Sequence, residues 1–155
     1  MPNYFPPIRD LARYEIWCNR QALRAAEKLA PAQLFDPFPF GLRTIHATLF
    51  HTIEVLQTWS GCIAPIIHKP EMVPYNPELS LSDLAKWNEQ LSQAFLTNIE
   101  ASHAENLLDQ DRRIHQLFHL VTHGTHHRTQ FITMLRLLGI DPPFEAGDFG
   151  GWSNL

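Results

Sequence analysis

Ile114-His-Gln-Leu-Phe-His-Leu-Val-Thr-His-Gly-Thr-His-His-Arg-Thr-Gln130 is the stretch on which the reading of this chain turns. His115, His119, His123, His126 and His127 all fall in it, five of the nine histidines present. Around and beyond them Ile114, Phe118, Val121, Phe131, Ile132, Leu135 and Leu138 recur at helical spacing. The segment from about Arg112 to Leu138 therefore reads as one amphipathic helix. Gly139 is placed to end it, and Pro142-Pro143 forbid its resumption. On such a helix His123 and His127 stand one turn apart on one face, where two imidazoles can grip one metal ion.

Three more helices follow from the same periodicity. Ile8, Leu11, Cys18, Ala22, Ala25 and Leu29 predict a helix over 8–29. The proline-rich stretch from Pro31 to Pro39 breaks it and predicts an extended connection. Ile45, Leu49, Ile53 and Leu56 form the stripe of a second helix over 42–63, and Pro65, Pro70, Pro74 and Pro77 mark a long loop after it. Ser82 is the expected N-cap of a third helix over 82–102, with Asp83 in its first turn and Leu84, Trp87, Leu91, Ala94, Phe95 and Ile99 facing inward. With no alternating segment, the prediction is a single all-α domain over 1–155, a four-helix bundle whose tail, 139–155, packs across one end.

The histidines are not equivalent on the helical wheel. At about 100° per residue with Ile114 at zero, the apolar arc runs from roughly 240° through zero to 40°. His123 and His127 fall at its edge, near 180° and 220°, whereas His115, His119 and His126 lie near 100–140°, farther out. Arg128 falls inside the arc, near 320°. A buried guanidinium needs a partner, and Glu15 in the first helix and Asp148 in the tail are the candidates. A third ligand should come from another helix. The second offers His46 and His51, between which spacing does not decide, and Glu54 stands one turn from His51, able to orient an imidazole or take a proton. His68, in the proline loop, and His103, after the third helix, are poorly placed.

Composition excludes other classes. Apolar residues at 45 % and charged ones at 18 % describe a globular chain, and a net charge of -4 without a basic run argues against nucleic acid. No apolar run approaches the ~20 residues of a membrane span. The start, Met1-Pro-Asn-Tyr-Phe-Pro-Pro-Ile-Arg9, has neither the basic residues nor the apolar stretch of a signal peptide. Cys18 and Cys62 read as buried thiols of a reducing compartment, so the expectation is a cytoplasmic protein. A di-iron carboxylate site would need two Glu-x-x-His units, and Glu100-Ala-Ser-His103 is the one present. Zinc-peptidase, phosphate-loop, nucleophile-elbow and dinucleotide motifs are absent.

The run Phe118-His-Leu-Val-Thr-His-Gly-Thr-His-His-Arg-Thr-Gln130, with Leu135-Arg-Leu-Leu-Gly-Ile-Asp-Pro-Pro143 after it, resembles the last-helix signature of the DinB family. Ile45-His-Ala-Thr-Leu-Phe-His51 with Trp59, and Tyr14-Glu-Ile-Trp-Cys-Asn-Arg20, agree in order along nearly the whole chain. The resemblance implies an up-down-down-up four-helix bundle, often a homodimer, that holds a divalent metal, zinc or nickel, on three histidines. Carried over by position, those are His51, His123 and His127. Thr129 stands where the family usually has glycine, which implies different packing at that point, and the segment before the fourth helix is too short for the extra strands some members carry.

Three neutral imidazoles leave the ion's charge uncompensated, so water or a thiol would be acidified there. Relatives that use bacillithiol or mycothiol imply a metal-dependent thiol S-transferase or a hydrolase, with a low-molecular-weight thiol and a small electrophile as substrates. Glu54 is the candidate general base, and His119 and His126 are candidate proton relays or supporting groups. The alternative is a non-catalytic metal-binding or dimerisation module of a stress response.

Overall fold

The computed structural model describes residues 5–68, 71–110, 112–142, 144 and 148–152. The N-terminal residues 1–4, Pro70, Pro143 and part of the tail fall outside them. Four long helices carry the chain: α1 (Phe5–Ala26), α2 (Ile45–Ile63), α3 (Leu81–Ala104) and α4 (Arg113–Leu137). A one-turn helix, α5 (Phe149–Trp152), lies in the tail, and the described residues contain no strand. The expected all-α bundle is the observed one.

Local chemistry sets the ends. Helix α1 stops at Ala26, short of Leu29, because the chain tightens into shorter-range bonds, Lys28 N–H to Ala25 O and Leu29 N–H to Ala26 O. The connection expected to be extended instead forms a 3₁₀ turn over Pro31–Phe35. Proline at its first position sacrifices no bond, and the Gln33 side chain accepts from the Ala30 N–H. Helix α2 begins after Thr44, whose hydroxyl accepts from the Ala47 N–H at 3.0 Å. The cap of α3 is Ser80, two residues before the expected Ser82. Ser80 and Asp83 bond reciprocally, since Asp83 reaches back to the Ser80 N–H at 3.1 Å. Gly139, at φ +74°, closes α4 as anticipated, with Ile140 N–H on Leu135 O.

The contacts define the helix directions. Asn98 near the end of α3 bonds Ser60 near the end of α2, and Ser102 donates to Ile63 O, so α2 and α3 run parallel. Arg113, at the start of α4, donates to Ala64 O at 3.3 Å and Pro65 O at 3.1 Å, so α4 runs opposite to α2. Ile8 and Ala12 of α1 share a cluster with Ile99 of α3 and Leu117 of α4, which sets α1 parallel to α4. The order is up-down-down-up. Arg113 and Ser102 together tie three helix ends and fix the height of α2 against α4, the two helices that matter below.

Two apolar clusters fill the bundle. One joins Tyr14, Cys18, Phe50, Phe131 and Leu135, and the other joins Ile16, Leu56, Phe95 and Leu120. Each fully buried side chain of this size contributes about 1.5–3 kcal/mol. The described tail packs on the first cluster, with Phe149 edge-on to Tyr14 at 5.4 Å and Phe144 against Trp17 at 5.7 Å. Phe118 and Ala94, expected inside, are exposed. The buried face of α4 is instead carried by Leu117, Leu120, Gly124, Arg128 and Phe131. That face is centred roughly 90° away from the Ile114 origin, which leaves Phe118 beyond its edge.

Candidate metal centre

Helix α2 presents His51, and α4 presents His123 and His127, to one point between them. One ligand atom from each lies within 4.8 Å of the others. His123 Nε2 and His127 Nε2 face one another at 3.2 Å. Two nitrogens on a tetrahedral ion with bonds of ~2.0–2.1 Å stand about 3.3 Å apart, so this pair has the spacing a shared ion requires. The ring centroids of His51 lie 5.1 Å from His123 and 4.7 Å from His127.

An imidazole must be neutral to offer a lone pair, and the surroundings of His123 and His127 favour that form. His123 and His127 are both pushed down to about 4, first by burial and then by the neighbouring histidines. The tautomers are set from behind. The His51 Nδ1 lies 3.2 Å from Glu54 Oε2, and Glu54 Oε1 accepts from the Thr58 hydroxyl at 2.9 Å. Gln130 Oε1 sits 3.1 Å from His127 Nδ1, while its amide nitrogen is 2.8 Å from His126 Nε2. A carboxylate or amide oxygen accepts, so Nδ1 carries the proton in both rings and Nε2 is left for an ion.

Glycine makes two of these contacts possible. Gly41, at φ +56°, lies where a Cβ would stand 2.5 Å from Gln130 Oε1, so the loop before α2 backs directly on that amide. At Gly124 a Cβ would come 2.1 Å from Glu15 Oε1. The missing side chain lets the Glu15 carboxylate reach Arg128 Nη1 at 2.7 Å, in a pair that is almost wholly buried. Burial alone would lower the Arg128 guanidinium, but the carboxylate beside it raises it. Glu15 is thus the partner, whereas Asp148 caps the N–H of Gly151 in α5.

The other candidates separate from the tripod. His46 is buried, but its two nitrogens meet the Tyr75 hydroxyl at 2.9 Å and Leu79 O at 2.8 Å. His119 is exposed and lies edge-on to Trp59 at 4.8 Å, with His123 beyond it. His115, His126, His68 and His103 are exposed. Thr129 is exposed too, and its hydroxyl donates to Thr125 O. Sequence reasoning overlooked Gln130, Gly41, Gly124 and Thr58. Only Gln130 carried a signal, its three-residue spacing from His127.

An all-α bundle with a three-histidine cluster that could hold a metal ion defines the class. Within that class the chain belongs to the DinB family, whose sequence profile matches residues 1–147. No curated protein matches it.

Proposed function

We propose that this protein is a metal-dependent enzyme holding one zinc or nickel ion on His51, His123 and His127, with a coordination position open for thiol S-transfer or hydrolysis. The observation that carries the reading is the convergence of the three imidazoles, ligand atoms within 4.8 Å of one another, drawn from α2 and α4. A divalent ion there would supply the positive charge that acidifies a thiol or a water.

The chain's own groups orient that charge. Glu54 has both oxygens engaged, with His51 and Thr58, which favours holding the His51 ring over acting as a free general base. Gln130 holds His127 in the same way and links it to His126. His119 is exposed, its ring centroid 5.6 Å from that of His123, and would pass protons between His123 and solvent. By family resemblance the partners are a second copy of the chain, a low-molecular-weight thiol and a small electrophile; the two cysteines, read as reduced thiols, favour the cytoplasm. No helix among the described residues is long and apolar enough to cross a membrane.

Elemental analysis of the purified protein tests the site. About one transition metal per chain is expected, and His127→Ala should remove it. Metal retained in the His51→Ala/His123→Ala/His127→Ala variant would sink the assignment. A panel of thiols and electrophiles then tests turnover, and metal without turnover would favour the non-catalytic module.

A further inference from the structure

Beside the tripod lies a cavity of about 390 Å³, between the start of α2 and the loop that leads into α3. His51 and Glu54 form part of its wall, so one histidine serves both the cluster and the cavity. Apolar side chains such as Leu42, Ala47, Phe50 and Val73 make most of the rest, together with Thr44, Met72 and Tyr75. We propose that this cavity receives the apolar, uncharged part of the substrate whose reacting group meets the metal, an assignment that rests on the metal-dependent reading above.

Three observations carry it. First, the polar groups of the lining already have partners. The Thr44 hydroxyl accepts from Ala47 N–H, Glu54 is held by Thr58 and His51, and no Lys or Arg is among the described lining residues. Among the described lining residues an anionic group would find no cation and a cationic one only an engaged carboxylate, so a charged group would lose hydration there without compensation. Second, the wall is built before any ligand arrives. The Tyr75 hydroxyl donates to the buried His46, whose other nitrogen donates to Leu79 O, and the Tyr75 ring stands edge-on to Phe50 at 5.3 Å. His46, the histidine left out of the metal cluster, therefore fixes the cavity wall. Third, the lining residues Met72 and Tyr75 are 69 % and 45 % exposed, which leaves apolar area for a ligand to cover. In size the cavity is more than twice the ~150 Å³ space that holds benzene, enough for a group of roughly ten carbon atoms.

The test uses the full-length protein loaded with zinc and a series of n-alkanols from propanol to octanol, followed by amide chemical shifts. The expected result is saturable binding that shifts Phe50, Val73 and Tyr75, with affinity rising about fourfold per methylene. Protonated 1-aminohexane should bind at least tenfold more weakly than hexanol. Val73→Trp and Ala47→Phe, which fill the cavity from opposite walls, should each flatten the series while zinc content is unchanged. Zinc at one per chain with a flat series in the unsubstituted protein overturns the cavity alone. So does a graded series that survives both filling variants, or 1-aminohexane binding as well as hexanol. A graded series in a chain that retains no metal overturns the metal reading, and with it this cavity's assignment as a substrate site.

Discussion

Gly124→Ala offers the sharpest test of how the bundle places its histidines. Gly124 lies inside α4, where alanine is the better helix former by about 1 kcal/mol. On propensity alone the substitution stabilises. The structure predicts the opposite, because the new Cβ would stand 2.1 Å from Glu15 Oε1 and 2.6 Å from Arg128 Nη1. Neither group can swing into solvent, since both side chains are at most 2 % exposed. The carboxylate must retreat by roughly 1 Å or more to reach ordinary contact. That breaks the ion pair or parts α1 from α4. Disrupting a buried pair costs about 3–5 kcal/mol, so after the helix gain a net loss of roughly 2–4 kcal/mol is expected. For a chain of this length that lowers Tm by roughly 5–15 °C. Thermal unfolding should be followed with a chelator present, so that metal binding does not mask the change. A Gly124→Ala protein as stable as the unsubstituted one would refute the reasoning. The Glu15→Ala background sharpens the test, because with the carboxylate gone Gly124→Ala should become neutral or stabilising. Equal losses in both backgrounds would show that the clash is not with Glu15.

Three further outcomes follow from the site. His123 and His127 are pushed down to about 4, below the usual histidine value near 6.5, so the unfolded chain binds more protons than the folded one between those values. Metal-free stability should be complete above about pH 6.5 and fall as pH drops toward 4, with uptake of about two protons on unfolding; a flat urea midpoint over that window would contradict it. Glu54→Gln keeps the shape but weakens the acceptor behind His51, and zinc affinity measured by competition should fall about 10–100-fold. Gly41→Ala forces a side chain toward Gln130 from a left-handed backbone position. It should weaken zinc binding in the same assay, and Gln130→Ala should remove most of that effect when the two are combined, because the clash partner is then gone.

Much of the fold was legible because helical periodicity is a local property. The stripe of α2, the stop at Gly139 and the need of Arg128 for a buried partner, with Glu15 and Asp148 as the candidates, all follow from where apolar and charged residues recur. The errors share one cause. Ser82 and Ser80 both suit a cap, and which of them serves depends on the reciprocal bond with Asp83, a matter of one turn of geometry. Phe118 fits the periodic pattern, yet it lies just past the edge of the face that the other helices cover.

The sequence by itself determined that two histidines stand one turn apart on α4, since a helix of 3.6 residues per turn admits no other arrangement. Resemblance to a family pointed to His51 as the third. Only the tertiary structure decided what surrounds them. Gln130 is locked by a glycine nearly ninety residues upstream, the Glu15–Arg128 pair is admitted by the missing side chain of Gly124, and His46 is drawn away to brace a cavity wall. These contacts join residues far apart in sequence, and their cost or benefit depends on fractions of an ångström. Periodicity places a residue on a face, but packing decides what that face meets.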